Sequence, residues 1–389
     1  MNPSIVGWAH SPFGRRDGEA LEDMIVEVAR DAIAHAGIAP TDIDAIYLGH
    51  FNGGFSEQDF TAALILEADA GLRFKPATRV ENACASGSAA VFQGVDAIRA
   101  GRARTVLVVG AEKMTDTKSP QVGQNLLRAS YLKEEAGIEA GFAGLFGMIA
   151  DRYFQTYGDK SNALARIAAK NHRNGVDNPF AQMRKDLGYD FCRAESEKNP
   201  LVAGPLKRTD CSLVSDGAAA LVIASNDVAQ AMPRSIRFRG MAHVQDFLPM
   251  SSRDLLKMEG CALAWQKALA DGGIALSDLS FVETHDCFTI AELIEYEAMG
   301  LVPYGQGERV ALEGWVERDG RLPINRSGGL KAKGHPIGAT GVSMHVLTAM
   351  QLLGEAPPDL QLPNPIMGGI FNMGGAAVAN YTSILEAAR

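Results

Sequence analysis

Two rhythms of hydrophobic positions alternate along most of the chain. Residues 4–8 form a short apolar run that predicts a strand. Over 19–36 the apolar residues Leu21, Met24, Ile25, Val28, Ala29 and Ile33 recur at helical spacing, and Gly37 supplies a stop. Residues 43–48 predict a second strand, 62–70 a small helix, 76–80 a short extended run and 89–100 a helix. The β-branched run 104–109, closed by Gly110, has the pattern of a strand buried on both faces. From Met114 to about Lys207 the rhythm breaks, and polar, charged and irregular segments surround helical stretches near 143–157 and 162–172. This segment predicts an insertion on the first core. Its Asn171-His172-Arg173 and Met183-Arg184-Lys185 supply local positive charge, which also fits a solvated loop face. The alternation returns with strands over 218–224 and 236–238, a helix over 255–270, a strand over 279–283 and a helix over 290–299. A helix over 338–353 and strands near 369–373 and 376–385 close the chain, so the expected class is α/β.

The rhythm is repeated. Gly37-Ile38-Ala39-Pro40-Thr41-Asp42-Ile43 matches Gly273-Ile274-Ala275-Leu276-Ser277-Asp278-Leu279, each between an amphipathic helix and an apolar strand. Carried forward, the match sets His50 against Asp286 and Phe51 against Cys287. Cys84-x-x-Gly87 before Val91 matches His335-x-x-Gly338 before Val342, and Val109-Gly110 falls opposite the Met373-Gly374 region. A period this long predicts a duplicated domain. The first half spans 1–113 plus 208–230, the insertion 114–207 and the second half 231–389. A site is expected where the halves meet, with Cys84 facing His335 across a pseudo-twofold axis.

Composition narrows the function classes. The formal net charge of −9 over 389 residues argues against general binding to nucleic acid or anionic membranes. No apolar run approaches the roughly 20 residues of a membrane span. The start Met1-Asn2-Pro3-Ser4 has no signal-peptide pattern, and Ala387-Ala388-Arg389 is no peroxisomal address of the Ser-Lys-Leu type. The cysteines Cys84, Cys192, Cys211, Cys261 and Cys287 are odd in number and widely spaced, without Cys-x-x-Cys. Free thiols in a reducing, cytoplasmic setting are expected, with no zinc site.

Four stretches carry candidate chemistry. In Glu81-Asn82-Ala83-Cys84-Ala85-Ser86-Gly87-Ser88, the cysteine stands where a strand passes into a helix start. The free N–H groups there favour an anion, so a lowered thiol pKa is expected. The surrounding small residues allow close approach, and a structural core cysteine fits the same pattern. Thr284-His285-Asp286-Cys287-Phe288 lies at a strand end. The glycine-rich Ser327-Gly328-Gly329-Leu330-Lys331-Ala332-Lys333-Gly334-His335-Pro336-Ile337-Gly338-Ala339-Thr340-Gly341 leads into a helix, and Phe371-Asn372-Met373-Gly374-Gly375 ends another strand. Each also fits a turn or a packing loop.

Together, Cys84-Ala85-Ser86, His285-Asp286-Cys287-Phe288 and Gly334-His335-Pro336 resemble the thiolase superfamily. The likeness is strongest to its sterol-carrier-protein type, in which His-Asp-Cys-Phe replaces the Asn-Glu-Ala-Phe of ordinary thiolases. Lys170-Asn171-His172, Asn178-Pro179 and Ser215-Asp216-Gly217-Ala218-Ala219-Ala220 agree, and the resemblance covers nearly the whole chain. It implies a duplicated five-layered α-β-α-β-α fold with an inserted loop domain, and reversible thiolysis or Claisen condensation of 3-ketoacyl-CoA and acetyl-CoA. Cys84 is implied as the nucleophile and His335 as its base. His285 would be a donor in one oxyanion hole, and Cys287 the acid/base at the α-carbon. The backbone N–H groups of Cys84 and Gly374 would form a second hole. One departure stands out: Asn372 occupies the place of the C-terminal acid/base cysteine of ordinary thiolases, which leaves Cys287 alone for that task. Coenzyme A is implied as substrate, with no cofactor or metal. Arg184, Lys185 and Ser212 are candidate contacts to it, although Leu213 replaces a glycine found in relatives. A homodimer or homotetramer is expected by analogy. Two other readings remain: transfer from a Cys84 thioester to a different carbon acceptor, and a non-catalytic thiolase-like subunit.

Overall fold

In the computed structural model, residues 3–388 are described; Met1, Asn2 and Arg389, on which the readings of the two chain ends partly rest, lie outside the described residues. The strands are β1 (Ser4–His10), β2 (Ala45–Gly49), β3 (Ala77–Val80), β4 (Thr105–Glu112), β5 (Leu201–Ala203), β6 (Leu206–Lys207), β7 (Gly217–Ala224), β8 (Ile236–Gln245), β9 (Phe281–Glu283), β10 (Met367–Gly374) and β11 (Ala379–Ala387). β5 and β6 form a small hairpin of their own. The other nine form one sheet in the order β3-β2-β4-β7-β1-β8-β11-β10-β9.

That order is the repeat made visible. Outward from the centre, β1–β7 and β7–β4 are antiparallel and β4–β2 is parallel. In the other direction β8–β11 and β11–β10 are antiparallel and β10–β9 is parallel. β3 adds a parallel strand to β2, and Val282 of β9 makes an isolated parallel bridge to Ile324 at the equivalent place. The halves join where Ser4 and Ile5 pair with Arg237 and Ile236.

Five layers follow from which helix faces are apolar. The helix Leu21–Ala36 buries Met24, Ile25, Val28, Ala32 and Ile33 against β1, β7 and β4, and ends at Gly37 with φ 71°. The helix Glu259–Gly272 covers β8 and β11 in the other half. Between the half-sheets lie the helices Ser86–Arg99 and Ile337–Leu353, packed on each other. Their Val91, Val95, Val342, Met344 and Val346 share one core with Ile5, Leu221 and Phe238. Truncating Met344 to Ala in such a core costs about 2–5 kcal/mol. The two helices meet backbone to backbone. A Cβ on Gly87 would lie 2.7 Å from the Gly338 carbonyl oxygen, and one on Gly338 would lie 2.3 Å from that of Ala111. No side chain fits at either repeat-equivalent position, and this contact brings the starts of both helices to one place.

Several sequence-based expectations are corrected here. The 62–70 segment is a 3₁₀ helix, Thr61–Ala68, followed by another at Ala70–Leu72. The helix expected over 255–270 runs Glu259–Gly272. The strand begun at 236 continues to Gln245 because it pairs with β11 as far as Ala379; its last residues are partly exposed and give no apolar alternation to reveal it. The repeat register near residue 110 is displaced. Tyr47 pairs with Val108, and its repeat counterpart Glu283 pairs with Ile370, which places Gly110 opposite Asn372 and Glu112 opposite Gly374. The insertion is more regular than its composition suggests, with helices Ser119–Leu127, Phe142–Tyr157 and Ser161–Val176. The last buries Lys170, Asn171, His172 and Asn174, so it does not present a solvated face there. Lys170 Nζ pairs with Glu292, and Asn171 Nδ2 donates to Asp286 and Glu292, so hydropathy alone could not reveal this face.

Candidate active site

The turn between β3 and the helix Ser86–Arg99 holds Cys84. Ala83 adopts φ 50°, a left-handed conformation costly for a residue with a Cβ. The turn is fixed by Ala85 N–H to the Asn82 carbonyl at 3.1 Å and Asn82 N–H to Ser86 Oγ at 2.9 Å. Asn82 Nδ2 donates to Tyr381 Oη at 2.8 Å from the second half. The helix therefore begins two residues after Cys84, and the thiol is buried. Burial raises its pKa to about 12, helped by the carboxylates of Glu112 and Glu81 and opposed by hydrogen bonds from the backbone of Gly375 and of Cys84 itself. The expected lowering is not realised in the free site: loss of hydration outweighs the backbone donors.

His335 enters from the start of the helix Ile337–Leu353. Its Nδ1 lies 2.7 Å from Thr340 Oγ1, and that hydroxyl donates to the Pro336 carbonyl at 3.0 Å. With the hydroxyl proton committed, Thr340 must accept from Nδ1–H, which leaves the Nε2 lone pair exposed. Nε2 has no hydrogen-bond partner among the described residues. Burial, with Lys333 adding to it, lowers the His335 pKa to about 3, so the ring is neutral.

His285 and Cys287 sit on the turn after β9. Glu295 accepts from the His285 backbone N–H at 3.1 Å and from Thr284 Oγ1. Asp286 accepts from the N–H of Leu330 at 2.6 Å and from Asn171 Nδ2 at 2.7 Å, tying this turn to the glycine-rich loop and to the insertion. The His285 and His335 rings stand edge to face, 5.1 Å apart at 85°. One ligand-type atom each from Cys84, His285 and His335 falls within a 4.8 Å span, a set able to chelate a soft metal as well as to share a proton. Burial lowers the His285 pKa strongly, with His335 and Lys333 adding, and burial raises that of Cys287.

A cleft of about 290 Å³ opens on Cys84, Cys287 and His335. Met114, Leu126, Phe142 and Phe288 supply apolar walls, and Phe288 stacks on Phe146 of the insertion at 4.5 Å. Ser212 lines the cleft, and its N–H donates to the Cys287 carbonyl at 2.9 Å. Arg184 and Lys185 do not line it; both are exposed, and Arg184 donates to the Val176 carbonyl. Arg208 does line it, and sequence reasoning missed it because a lone arginine beside a short hairpin carries no motif. Gly374 lies against the Cys84 turn, where a Cβ would be 2.2 Å from the Asn82 carbonyl oxygen, whereas the backbone hydrogen bond to the thiol comes from Gly375. The sequence places Thr340 in the glycine-rich stretch and Asn372 at the departure from ordinary thiolases, without indicating what either does to the histidine rings. Thr340 falls five residues after His335, and only the folded helix start brings it to the ring.

The comparisons agree with this geometry. Residues 4–227 match the model of the thiolase N-terminal domain and 242–387 that of the thiolase C-terminal domain-like family. The chain belongs to the thiolase family, and it is a thiolase-type acyltransferase. It is 34% identical to an acetyl-CoA acetyltransferase of Methanothermobacter thermautotrophicus over 375 residues, 96% of each chain. It is 32% identical to sterol carrier protein 2 of Oryctolagus cuniculus over 395 residues, covering 96% of this chain and 70% of that protein. The fold matches a solved Ltp2-ChsH2(DUF35) aldolase structure with a TM-score of 0.84 at 22% identity, covering 100% of this chain and 98% of that one. No helix among the described residues is long and apolar enough to cross a membrane.

Proposed function

We propose that the protein cleaves and forms 3-ketoacyl-CoA thioesters through an acyl group carried on Cys84. The observation that carries this reading is the convergence of the Cys84 thiol, the free Nε2 of neutral His335 and Cys287 on one apolar cleft. Thiol and imidazole are both neutral at rest, so deprotonation accompanies attack. As Cys84 Sγ bonds to the 3-keto carbon, its proton passes to His335 Nε2 and negative charge moves to the carbonyl oxygen. The C2–C3 bond breaks, the acyl group stays on Cys84, and the enolate of acetyl-CoA takes a proton from Cys287 at C2. The thiol of a second coenzyme A then attacks the acyl-Cys84, returning a proton to Cys287, while Cys84 recovers its own from His335. In the reverse direction Cys287 removes the C2 proton of acetyl-CoA beside acyl-Cys84. The N–H of His285, joined by Nε2–H of protonated His335, holds the thioester enolate oxygen. The backbone N–H groups of Cys84 and of the 374–375 turn hold the oxyanion at the attacked carbon. The pantetheine arm passes Ser212, with Arg208 facing the phosphates; their places at the cleft support both roles.

Homo-oligomers are part of the same reading, supported by β3 at the outer edge of the sheet and by Phe60 and Phe74, 87% and 85% exposed, in the segment before it. A monomer mass in light scattering would overturn that part. The five free cysteines support a reducing, cytoplasmic setting.

The test is incubation with acetoacetyl-CoA and coenzyme A, following acetyl-CoA and the intact mass of the protein. Acetyl-CoA formation with an acyl adduct on Cys84 is expected. No adduct from any acyl-CoA, short or long, would overturn the reading. An adduct without thiolysis would move it to another acceptor.

A further inference from the structure

We propose that Asn372 is a positioning residue that fixes the tautomer of His285, placing its single ring proton on Nε2. The inference rests on the donor role given to His285 above. Asn372 is fully buried on β10, with Nδ2 3.2 Å from the Cys84 carbonyl oxygen and 2.8 Å from His285 Nδ1. A carbonyl oxygen only accepts, so the amide meets it with its NH₂ group; the reverse orientation would set two oxygens against each other. The second N–H of that group then points at His285 Nδ1, which must present a lone pair. Because burial and the neighbouring His335 and Lys333 keep the ring neutral, it holds one proton, and that proton is on Nε2.

The two histidines of the site are thereby set in opposite senses. Thr340 takes the Nδ1 proton of His335 and leaves its Nε2 as an acceptor. Asn372 fills Nδ1 of His285 and leaves its Nε2 as a donor. One ring is ready to receive the Cys84 proton, and the other offers an N–H to a developing oxyanion before any proton has moved. The same amide bonds to the carbonyl of Cys84, so donor and nucleophile are held in one register. The packing leaves little freedom: a Cβ on Gly341 would lie 2.5 Å from Asn372 Oδ1.

The test combines N372D and N372A with ¹⁵N-histidine NMR. A carboxylate accepts only, so N372D should move the His285 proton to Nδ1 and withdraw the donor. Acetoacetyl-CoA thiolysis should then fall about 100-fold or more in kcat, the usual effect of losing one oxyanion donor, with KM little changed. Acylation of Cys84 by acetyl-CoA, which uses the backbone donors, should fall much less than thiolysis does. In N372A the signal should report a mixture of tautomers. A proton on Nδ1 in the wild type, or an unchanged tautomer in both variants, overturns the inference. So does N372D thiolysis at the wild-type rate. If N372D does not fold, N372A and the wild-type spectrum decide. If the wild type performs no thiolysis at all, the functional reading fails, while the NMR result still decides the tautomer.

Discussion

Around the crossing of the helices Ser86–Arg99 and Ile337–Leu353, the two repeats supply equivalent loops that ended up with opposite tasks. In the first half the strand-end position is Glu112. Its carboxylate accepts from the N–H groups of Phe51, Asn52 and Gly338, each at 3.0 Å, and pairs with His50 Nε2 at 3.2 Å. That side is closed, with every hydrogen-bonding oxygen committed to the frame. In the second half the equivalent position is Gly374, and the neighbouring loop carries Cys287 into the cleft and sets a ring nitrogen of His285 beside Cys84 and His335. The histidine beside a carboxylate is structural; the histidine beside an amide keeps a free N–H. The two halves thus differ at one strand-end position, a committed carboxylate in the first and a glycine in the second.

Substitutions on the two sides should therefore separate activity from stability. The largest effect on rate is expected at Cys287→Ala, roughly 10²–10⁴-fold in kcat, the range for losing a general acid/base. Exchange of the acetyl-CoA C2 protons with deuterated water should cease, while the Cys84 adduct still forms and the thermal midpoint holds. Persistent exchange would break the assignment of the open side. Next, Glu112→Ala should leave the N–H groups of Phe51, Asn52 and Gly338 without their acceptor and remove the ion-pair partner of His50 Nε2, costing about 3–5 kcal/mol of stability, read as a lower urea midpoint. An unmoved midpoint would show that the closed side is not structural.

The thiol gives a sharper comparison still. With the Cys84 pKa raised to about 12, its thiolate fraction at neutral pH is small and grows as pH rises toward that value. Alkylation of the free enzyme by iodoacetamide at Cys84 should accelerate continuously above pH 9; a plateau below pH 7 would contradict the burial argument. The smallest effect is expected at the mouth of the cleft. Arg208→Ala should raise the KM for coenzyme A a few-fold without changing kcat, whereas Arg184→Ala should leave both unchanged, as befits its distance from the cleft lining.

Much of the fold was legible because apolar spacing records which faces are buried. The helix Leu21–Ala36, the fully buried β4 and β7, and the repeat itself were all visible as periodicity. The family and the cluster of Cys84, His285, Cys287 and His335 were legible as motifs at strand ends. The buried side of the helix Ser161–Val176 was not, because Lys170 pairs with Glu292 and Asn171 Nδ2 donates to Asp286, each more than a hundred residues away. Arg208 gave no local signal, and Thr340, though inside the glycine-rich stretch, acquires its partner only from the folded helix start.

The sequence by itself determined the α/β class, the thiolase family and the candidate reactive groups, because periodicity and motif are local properties of the chain. Tertiary structure alone decided their chemical states. Burial holds Cys84 as a thiol and His335 as a neutral base, reversing the pKa shift that a helix start suggests. Asn372 and Thr340 choose which ring nitrogens carry protons. Those choices depend on hydration lost and hydrogen-bond partners gained across the chain, and neither quantity exists until distant segments are packed together.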